Sequence, residues 1–311
     1  MIKFYLSKFL LPLLLIFSSW AQADTSFSRV FVFGDSLSDT GNLASVIGDF
    51  PAPYYMNRVS NGPVAVETLA AQLGHTADAS LHLIGPEQGS NYAVAGANAF
   101  SDDPTDLNTL TTQIISFQAN HGFVAPAEAL YVILIGGNDI RSARDAADLT
   151  AAKSIVKAAV LEVRQAIENL SLSGARSFML INSPNIALLP ETQVIASITS
   201  DPKLIKRARK LSNLYRVKLH TMAEQLEDKR NINITEFDLF KFFNKLVKKA
   251  ERYGFSNATE ACFSPDLYPV TFFHPNCDFD QFIFFDEIHP TARTHALVGE
   301  AVYEALNEDD D

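Results

Sequence analysis

The chain has 311 residues, of which 47% are hydrophobic and 20% are charged, and its formal net charge is −11. A chain of this size and composition can bury one large core, which excludes a disordered or low-complexity protein. Nucleic-acid binding relies on clustered Lys and Arg side chains that neutralise phosphates, so the acidic balance argues against nucleic acid as a partner.

The first 23 residues have the pattern of a secretory signal peptide. Lys3 and Lys8 flank the start of the chain, the apolar run 9–17 follows, and Ala21 and Ala23 provide small residues for a cleavage site. The apolar run is too short to span a bilayer. We expect cleavage after Ala23 and a secreted protein, extracellular or periplasmic, with residues 24–311 as a single domain. An uncleaved anchor is the alternative.

Four short apolar runs predict strands, and they occupy residues 30–33, 130–135, 178–181 and 232–237. Runs without polar alternation are typical of strands buried on both faces of a parallel sheet. Helical periodicity fills the intervals: residues 155–170 with Gly174 as a stop, 204–226, and 238–249. The alternation predicts an α/β domain with helices on both faces of a parallel sheet.

The segment 253–285 breaks this regularity, and we expect a long ordered loop there. It holds both cysteines of the chain, Cys262 and Cys277. Export to an oxidising compartment favours a disulfide between them, and two cysteines alone cannot complete a tetrahedral zinc site, although His274 lies close by. The aromatic residues of 263–285 either accept an acyl chain or pack the core beneath the loop.

Small polar clusters follow two of the predicted strands and precede the last helix. They are Gly34-Asp35-Ser36, Gly136-Gly137-Asn138-Asp139 and the segment from Asp286 to His289. Parallel sheets bind ligands at the carboxyl ends of their strands, so these clusters predict one shared site.

The chemistry of that site is nucleophilic. A serine hydroxyl needs a base within hydrogen-bond reach and a third group that orients the base. His289 would take the proton of Ser36, and Asp286 would hold the other imidazole nitrogen. The oxyanion formed on attack also needs donors, for which the Ser36 N–H, the Asn138 side-chain amide and the small-residue segment 89–97 are candidates.

Each of these residues also has a structural interpretation. Asn138-Asp139 suits an ordinary turn, Gly96 suits helix packing, and His289 before Pro290 suits a helix cap. Asp35 and Asp39 do not have the spacing of a cation-binding loop, and we expect them to support the local turn. Nucleotide-binding and zinc-protease motifs do not occur in the sequence.

Four segments together resemble the SGNH, or GDSL, hydrolase family. They are 34–42 (GDSLSDTGN), 91–97 (NYAVAGA), 136–139 (GGND) and 286–290 (DEIHP), and they occur in the order of the family's blocks. The resemblance spans residues 29–306.

The resemblance implies a three-layer α/β/α sandwich with a flavodoxin-like parallel sheet. It implies Ser36 as nucleophile, His289 as base and Asp286 as its partner, with Ser36, Gly96 and Asn138 forming the oxyanion hole. No metal and no organic cofactor is expected. Ala95 stands where many members have a second glycine.

Export and the late cysteine loop resemble the secreted bacterial lysophospholipases and glycerophospholipid–cholesterol acyltransferases of that family. We therefore expect a lysophospholipase A, acting on a lysophospholipid or another acyl ester that it would meet at a membrane surface, with no obligate protein partner. An acyltransferase, a general carboxylesterase on short acyl esters, and a non-enzymatic binding module are the alternatives.

Overall fold

The computed structural model describes residues 27–265 and 272–308. The predicted signal peptide, residues 1–23, and its cleavage site after Ala23 lie outside these ranges, so secretion stays a prediction. Among the described residues, no helix combines the length and the apolar character needed to cross a bilayer.

A four-stranded parallel sheet forms the centre of the domain. Its strands lie in the order of the chain and are β1 (Val30–Gly34), β2 (Leu130–Leu134), β3 (Ser177–Ile181) and β4 (Asn233–Phe237). The register pairs Val30 with Leu130, and Leu130 in turn with Ser177. The four predicted strands are thereby confirmed to within a residue or two at their ends.

Side chains that alternate along each strand enter two separate cores. In β1, Phe31 and Phe33 face one layer of helices, while Val30 and Val32 face the other. All four are fully buried, which explains why the strand shows no polar residue. The predicted three-layer α/β/α arrangement is confirmed.

Two of the three predicted helices, α5 and α7, are longer than the sequence periodicity suggested, α8 is slightly shorter, and further helices appear that the periodicity did not mark. Their bounds are α1 (Asn42–Ile47), α2 (Ala65–Gln72), α3 (Leu110–Asn120), α4 (Gly137–Asp145), α5 (Leu149–Ser173), α6 (Pro190–Thr199), α7 (Leu204–Arg230), α8 (Leu239–Lys248) and α9 (Ala292–Glu308), with 3₁₀ turns at Ile186–Leu188 and Ala250–Tyr253. Helices α2 and α9 cover one face of the sheet, and α3, α4, α5 and α7 cover the other.

Gly174 ends a helix as predicted, and Asp238 begins one. Gly174 ends α5 with φ +124°, a conformation that a side chain disfavours. Asp238 caps α8, because its side chain accepts a hydrogen bond from the Lys241 N–H.

An extended segment completes the sheet beyond β1. The N–H of Tyr92 donates to the Val32 carbonyl at 2.7 Å, and the N–H of Val94 donates to the Gly34 carbonyl at 3.1 Å. This segment comes second in the chain but lies at the edge, outside β1, which is the strand order of flavodoxin-like sheets. The order reverses between β1 and β2, and a crevice opens there at the carboxyl ends of the strands.

The late segment is more regular than expected. Residues 253–285 were predicted as a loop, yet they contain β5 (Asn257–Ala261), β6 (Phe263–Ser264), β7 (Phe272–Phe273) and β8 (Phe282–Phe284). Strand β5 pairs in parallel with β8, and β6 pairs antiparallel with β7. Pairs this short depend on partners distant in the chain, so their sequence carries little strand signal.

The disulfide and the aromatic residues hold this segment together. Cys262 and Cys277 form the predicted disulfide. Phe263, Phe282 and Phe285 are buried, and Phe263 and Phe285 form an aromatic cluster with Tyr54. Of the two interpretations of the phenylalanines, core packing holds for Phe263, Phe282, Phe284 and Phe285, whereas Phe273 is exposed. Residues 266–271 lie outside the described ranges.

The close approach of β1 and β2 at Gly34 generates a stability prediction. A Cβ at this position would lie 2.3 Å from the Leu134 carbonyl oxygen, which belongs to backbone and cannot move aside. We expect Gly34→Ala to lower the free energy of unfolding by about 2 kcal/mol or more, measured by chemical denaturation. Gly85→Ala is the matched control, since nothing lies within 4 Å of its Cβ. Equal stability of the two variants would contradict this packing.

Candidate active site

The crevice between β1 and β2 holds a cavity of about 50 Å³. Ser36 and His289 reach it from two separate loops, and Asn138 and Arg141 reach it from α4. The remaining wall is mainly apolar and includes Ile186, Leu189, Leu239 and Phe243. The structure thus brings together residues that lie up to 253 positions apart in the chain.

Ser36, His289 and Asp286 form one hydrogen-bonded series. The Nε2 of His289 lies 2.8 Å from the Ser36 Oγ, and its Nδ1 lies 2.8 and 2.9 Å from the two carboxylate oxygens of Asp286. An ionised carboxylate only accepts, so the proton of the neutral ring lies on Nδ1 and Nε2 is left to accept from the serine. The predicted residues therefore meet in the geometry of a nucleophile, its base and an orienting acid. Their catalytic roles stay a prediction.

The loop before α9 is wrapped around the Asp286 carboxylate. Asp286 Oδ1 also accepts the backbone N–H groups of Ile288, at 2.8 Å, and His289, at 2.7 Å. Asp286 is buried, and these bonds fix it relative to the ring that it orients. The Asp-x-x-His spacing thus lets one turn supply both residues, and the helix-cap interpretation of His289 is not needed.

Asp39 ties the serine loop to the segment that carries Gly96. Its Oδ1 accepts the N–H groups of Gly41 and Asn42, each at 2.7 Å, and its Oδ2 accepts those of Leu43 at 3.1 Å and Ala95 at 2.8 Å. Asp35 similarly accepts the Leu37 N–H at 3.0 Å. Both residues support the turn, as the sequence suggested.

The second anchor of that segment is the pair Asn138 and Asp139. The Asn138 Nδ2 donates to the Ala97 carbonyl at 2.9 Å, and the Asp139 carboxylate accepts the N–H groups of Ala99 and Phe100, each at 2.9 Å. Asp139 is therefore more than a turn residue. One hydrogen of the Asn138 amide remains to face the cavity.

Gly96 lies in the turn between these two anchors. Its φ of +83° is in the left-handed region that favours glycine. It is exposed and is not one of the described residues that line the cavity, whereas Asn138 is. Its place in the oxyanion hole stays a prediction.

Arg141 orients Asn138, and the sequence analysis did not identify it. Its Nη1 donates to the Asn138 Oδ1 at 3.1 Å and its Nε to Glu191 at 3.0 Å. Since the amide oxygen is held by Arg141, the amide nitrogen must face the Ala97 carbonyl and the cavity. The spacing of three residues on one helix was the available signal.

Gln113 was also missed, and no local pattern marks it. From α3 its side chain reaches the end of β1, where Oε1 accepts the Gly34 N–H at 2.9 Å and Nε2 donates to the Gly34 carbonyl at 2.8 Å. The Gln113 side chain thereby provides a hydrogen-bond partner for both the N–H and the carbonyl of Gly34, two residues before Ser36.

Burial sets the charges around the cavity. It raises the pKa of Asp35 to about 6, a shift that the Leu37 N–H and the charge of His289 oppose, and it raises the pKa of Asp139 to about 6 as well. Burial and the charge of His289 lower the pKa of His295 to about 3, so that ring stays neutral. Among the described residues, no three His, Cys, Asp or Glu side chains are grouped as metal ligands.

Residues 30–302 match the family described as GDSL-like lipase/acylhydrolase. Among curated proteins, the chain is 28% identical to a phosphatidylcholine-sterol acyltransferase of Aeromonas hydrophila over 78% of this chain and 68% of that protein. It is also 28% identical to a thermolabile hemolysin of Vibrio parahaemolyticus, over 92% of this chain and 66% of that protein. The chain thus spans about two thirds of the length of each of these relatives.

A solved structure of a lipolytic protein of the G-D-S-L family from Veillonella parvula aligns with 90% of this chain and 96% of that chain, at 14% identity and a TM-score of 0.41. The match over residues 30–302 covers most of the sequence and contains Ser36, Asn138 and His289. The chain therefore belongs to the family of GDSL-like lipases and acylhydrolases.

Proposed function

We propose that the protein is a secreted serine ester hydrolase that releases fatty acid from lysophospholipids through an acyl-serine intermediate. The observation that carries the proposal is the position of His289, whose two ring nitrogens lie 2.8 Å from the Ser36 Oγ and 2.8 Å from Asp286. Family membership supports ester hydrolysis as the class of reaction.

In the first half of the reaction, the Ser36 Oγ attacks the ester carbonyl carbon while His289 Nε2 takes the hydroxyl proton. Asp286 stabilises the imidazolium through Nδ1. The carbonyl oxygen becomes an oxyanion, which the Ser36 N–H, the Gly96 N–H and the Asn138 amide would stabilise. The carbon–oxygen bond to the leaving alcohol then breaks, and His289 returns the proton to that alcohol.

In the second half, a water molecule attacks the acyl-serine. His289 takes one proton of the water, the second tetrahedral intermediate forms in the same oxyanion site, and the bond to Ser36 breaks with return of the proton to its Oγ. The products are a fatty acid and the starting enzyme, so the two halves balance without a cofactor.

The cavity suits an acyl ester but does not enclose a long chain. Sites that bury a whole ligand commonly measure ~300 Å³ or more, whereas this cavity measures about 50 Å³. It therefore accommodates the ester group, and a long acyl chain would extend past the apolar wall of Ile186 and Leu189.

Two alternative activities would proceed through the same acyl-serine intermediate. An acyltransferase would hand the acyl group to an alcohol, and the similarity to a protein named phosphatidylcholine-sterol acyltransferase favours testing this. A general carboxylesterase would act best on short soluble esters, which the small cavity favours.

Fatty-acid release from lysophosphatidylcholine, diacyl phosphatidylcholine and a short p-nitrophenyl ester separates these possibilities. We expect kcat/KM to favour the lysolipid by about tenfold or more, which equals about 1.4 kcal/mol of transition-state stabilisation. Ser36→Ala should lower all activity by about 10⁴-fold or more.

Three results would overturn the proposal in different ways. Turnover of the short ester alone would move the substrate class to small esters while keeping Ser36 as nucleophile. Cholesteryl ester as the main product with cholesterol present would identify an acyltransferase. Activity that survives Ser36→Ala would remove the nucleophile assignment itself.

A second prediction concerns Arg141, which we expect to act through Asn138. Losing one oxyanion donor typically costs 10²–10³ in kcat, and a donor that is only disoriented should cost less. Arg141→Gln should therefore lower kcat about tenfold with little change in KM. In an Asn138→Ala background the same substitution should change kcat by less than about twofold, because the contact no longer exists.

The matched control is Arg164→Gln, which breaks the pair between Arg164 and Glu168 on α5 and should leave kcat unchanged. Thermal unfolding of each variant separates lost positioning from lost stability. If Arg141→Gln lowers kcat equally in both backgrounds, the residue does not act through Asn138.

A further inference from the structure

A second groove lies between α7 and α8. It is lined by Arg209, Lys210 and Asn213 of α7 and by Phe240, Lys241 and Asn244 of α8. On each helix the three positions have the spacing i, i+1 and i+4, which places them on one face. The two faces meet to form a groove that has three cations in its walls.

The cations stand out against the acidic balance of the whole chain. No Asp or Glu occurs between Pro202 and Glu224, or between Asp238 and Glu251. Lys206 lies one turn before Lys210, and Lys206, Arg209 and Lys210 are all exposed.

Most of this positive charge is not neutralised. Within the described residues, Arg207, Arg216 and Lys241 form ion pairs in this region, with Asp201 and Asp238. Lys206, Arg209 and Lys210 form none with any described residue. They are therefore free to meet an external anion.

The groove and the catalytic cavity share a wall. From α8, Leu239 and Phe243 line the cavity, while the adjacent Phe240 and Asn244 line the groove. Asn244 Oδ1 accepts a hydrogen bond from Asn185 Nδ2 at 2.9 Å. Asn185 lies between Pro184 and Ile186, which both line the cavity. The groove and the cavity thus lie on different faces of α8 and are also connected through the contact of Asn185 with Asn244.

We propose that this groove docks the protein on an anionic phospholipid surface, with Lys206, Arg209, Lys210 and Lys241 against the headgroup phosphates and the catalytic cavity beside that surface. The inference rests on the proposed function in one respect: that function gives the reason for docking, which is to bring lipid substrate to the catalytic cavity. Basic residues near an anionic leaflet contribute about 1 kcal/mol each, or roughly fivefold in affinity.

The arrangement favours a lipid surface over other anions. The unpaired cations Lys206, Arg209 and Lys210 lie exposed on α7, and Lys241, which pairs with Asp238, is exposed on α8. An open basic surface of this kind suits a field of headgroups rather than one enclosed phosphate.

Cosedimentation with vesicles tests the proposal, using the full chain with Ser36→Ala so that no lipid is hydrolysed. Vesicles of phosphatidylcholine alone are compared with vesicles that also contain about one third phosphatidylglycerol. We expect binding to the anionic vesicles only, and its loss at high salt because exposed charges are screened. Binding is measured without turnover, so the result stands apart from the success or failure of the proposed reaction.

The variant Lys206→Gln, Arg209→Gln, Lys210→Gln should weaken binding to anionic vesicles about 100-fold, at roughly fivefold for each charge. The charge-matched control is Lys153→Gln, Lys157→Gln, Lys229→Gln, whose exposed residues lie outside the groove. The control should bind as the parent chain does, and unfolding temperatures should agree for all three proteins.

Equal binding to both kinds of vesicle, or equal weakening by the two triple variants, would overturn the proposal. Displacement from vesicles by millimolar inorganic phosphate at constant ionic strength would also overturn it, because the groove would then be a site for free phosphate. Tighter binding to an oligonucleotide than to anionic vesicles would assign it to nucleic acid instead.

Discussion

The carboxylate of Asp39 is the contact on which the site depends. It is buried and accepts four backbone N–H groups, three from the loop after β1 and one from Ala95. Burial raises the pKa of this carboxyl, although the same four bonds act to lower it. A buried carboxylate is costly unless its oxygens are satisfied, so the loops must close around it in one arrangement. That arrangement sets Ser36 and the Gly96 turn relative to each other.

The other half of the site repeats this principle with different residues. Asp139 holds Ala99 and Phe100 by their N–H groups, and Asp286 holds Ile288 and His289. The loop of Ser36, the segment that follows Gly96 and the loop of His289 are therefore each held by a buried carboxylate. The strands deliver these loops to the same edge of the sheet, and the carboxylates determine how each loop is folded there.

Glu191 links the two parts of this second half. Its side chain accepts hydrogen bonds from Arg141 and Arg144, and its N–H donates to the Glu287 carbonyl at 2.9 Å. Burial acts to raise the pKa of Glu191, but the two guanidinium groups outweigh it and lower that pKa. The start of α6 thus connects the Asn138 helix with the loop of Asp286 and His289. Contacts with the Asn138 helix on one side and with the His289 loop on the other therefore fix the position of the start of α6 relative to the cavity.

Local chemistry explains which parts of the structure were predictable. The central strands and the clusters at their ends could be predicted, because a doubly buried strand and the Gly-Asp-Ser turn leave short-range patterns. The role of Gln113 and the pairing of β5 with β8 depend on contacts between distant residues and leave no such pattern. Arg141 lies three residues from Asn138 on α4, but its second partner, Glu191, lies 50 positions away. The net charge of −11 did not indicate the basic groove between α7 and α8, because it is a sum over the whole chain and does not show a local excess of cations.

The central claim is that Ser36 is an activated nucleophile. The most direct measurement is intact-mass and peptide analysis after treatment with a fluorophosphonate, which forms a bond from the serine oxygen to phosphorus and releases fluoride. We expect one adduct, mapped to Ser36, and its loss in His289→Ala, because an unassisted serine hydroxyl does not react appreciably. An unlabelled protein, or equal labelling after removal of His289, would contradict it.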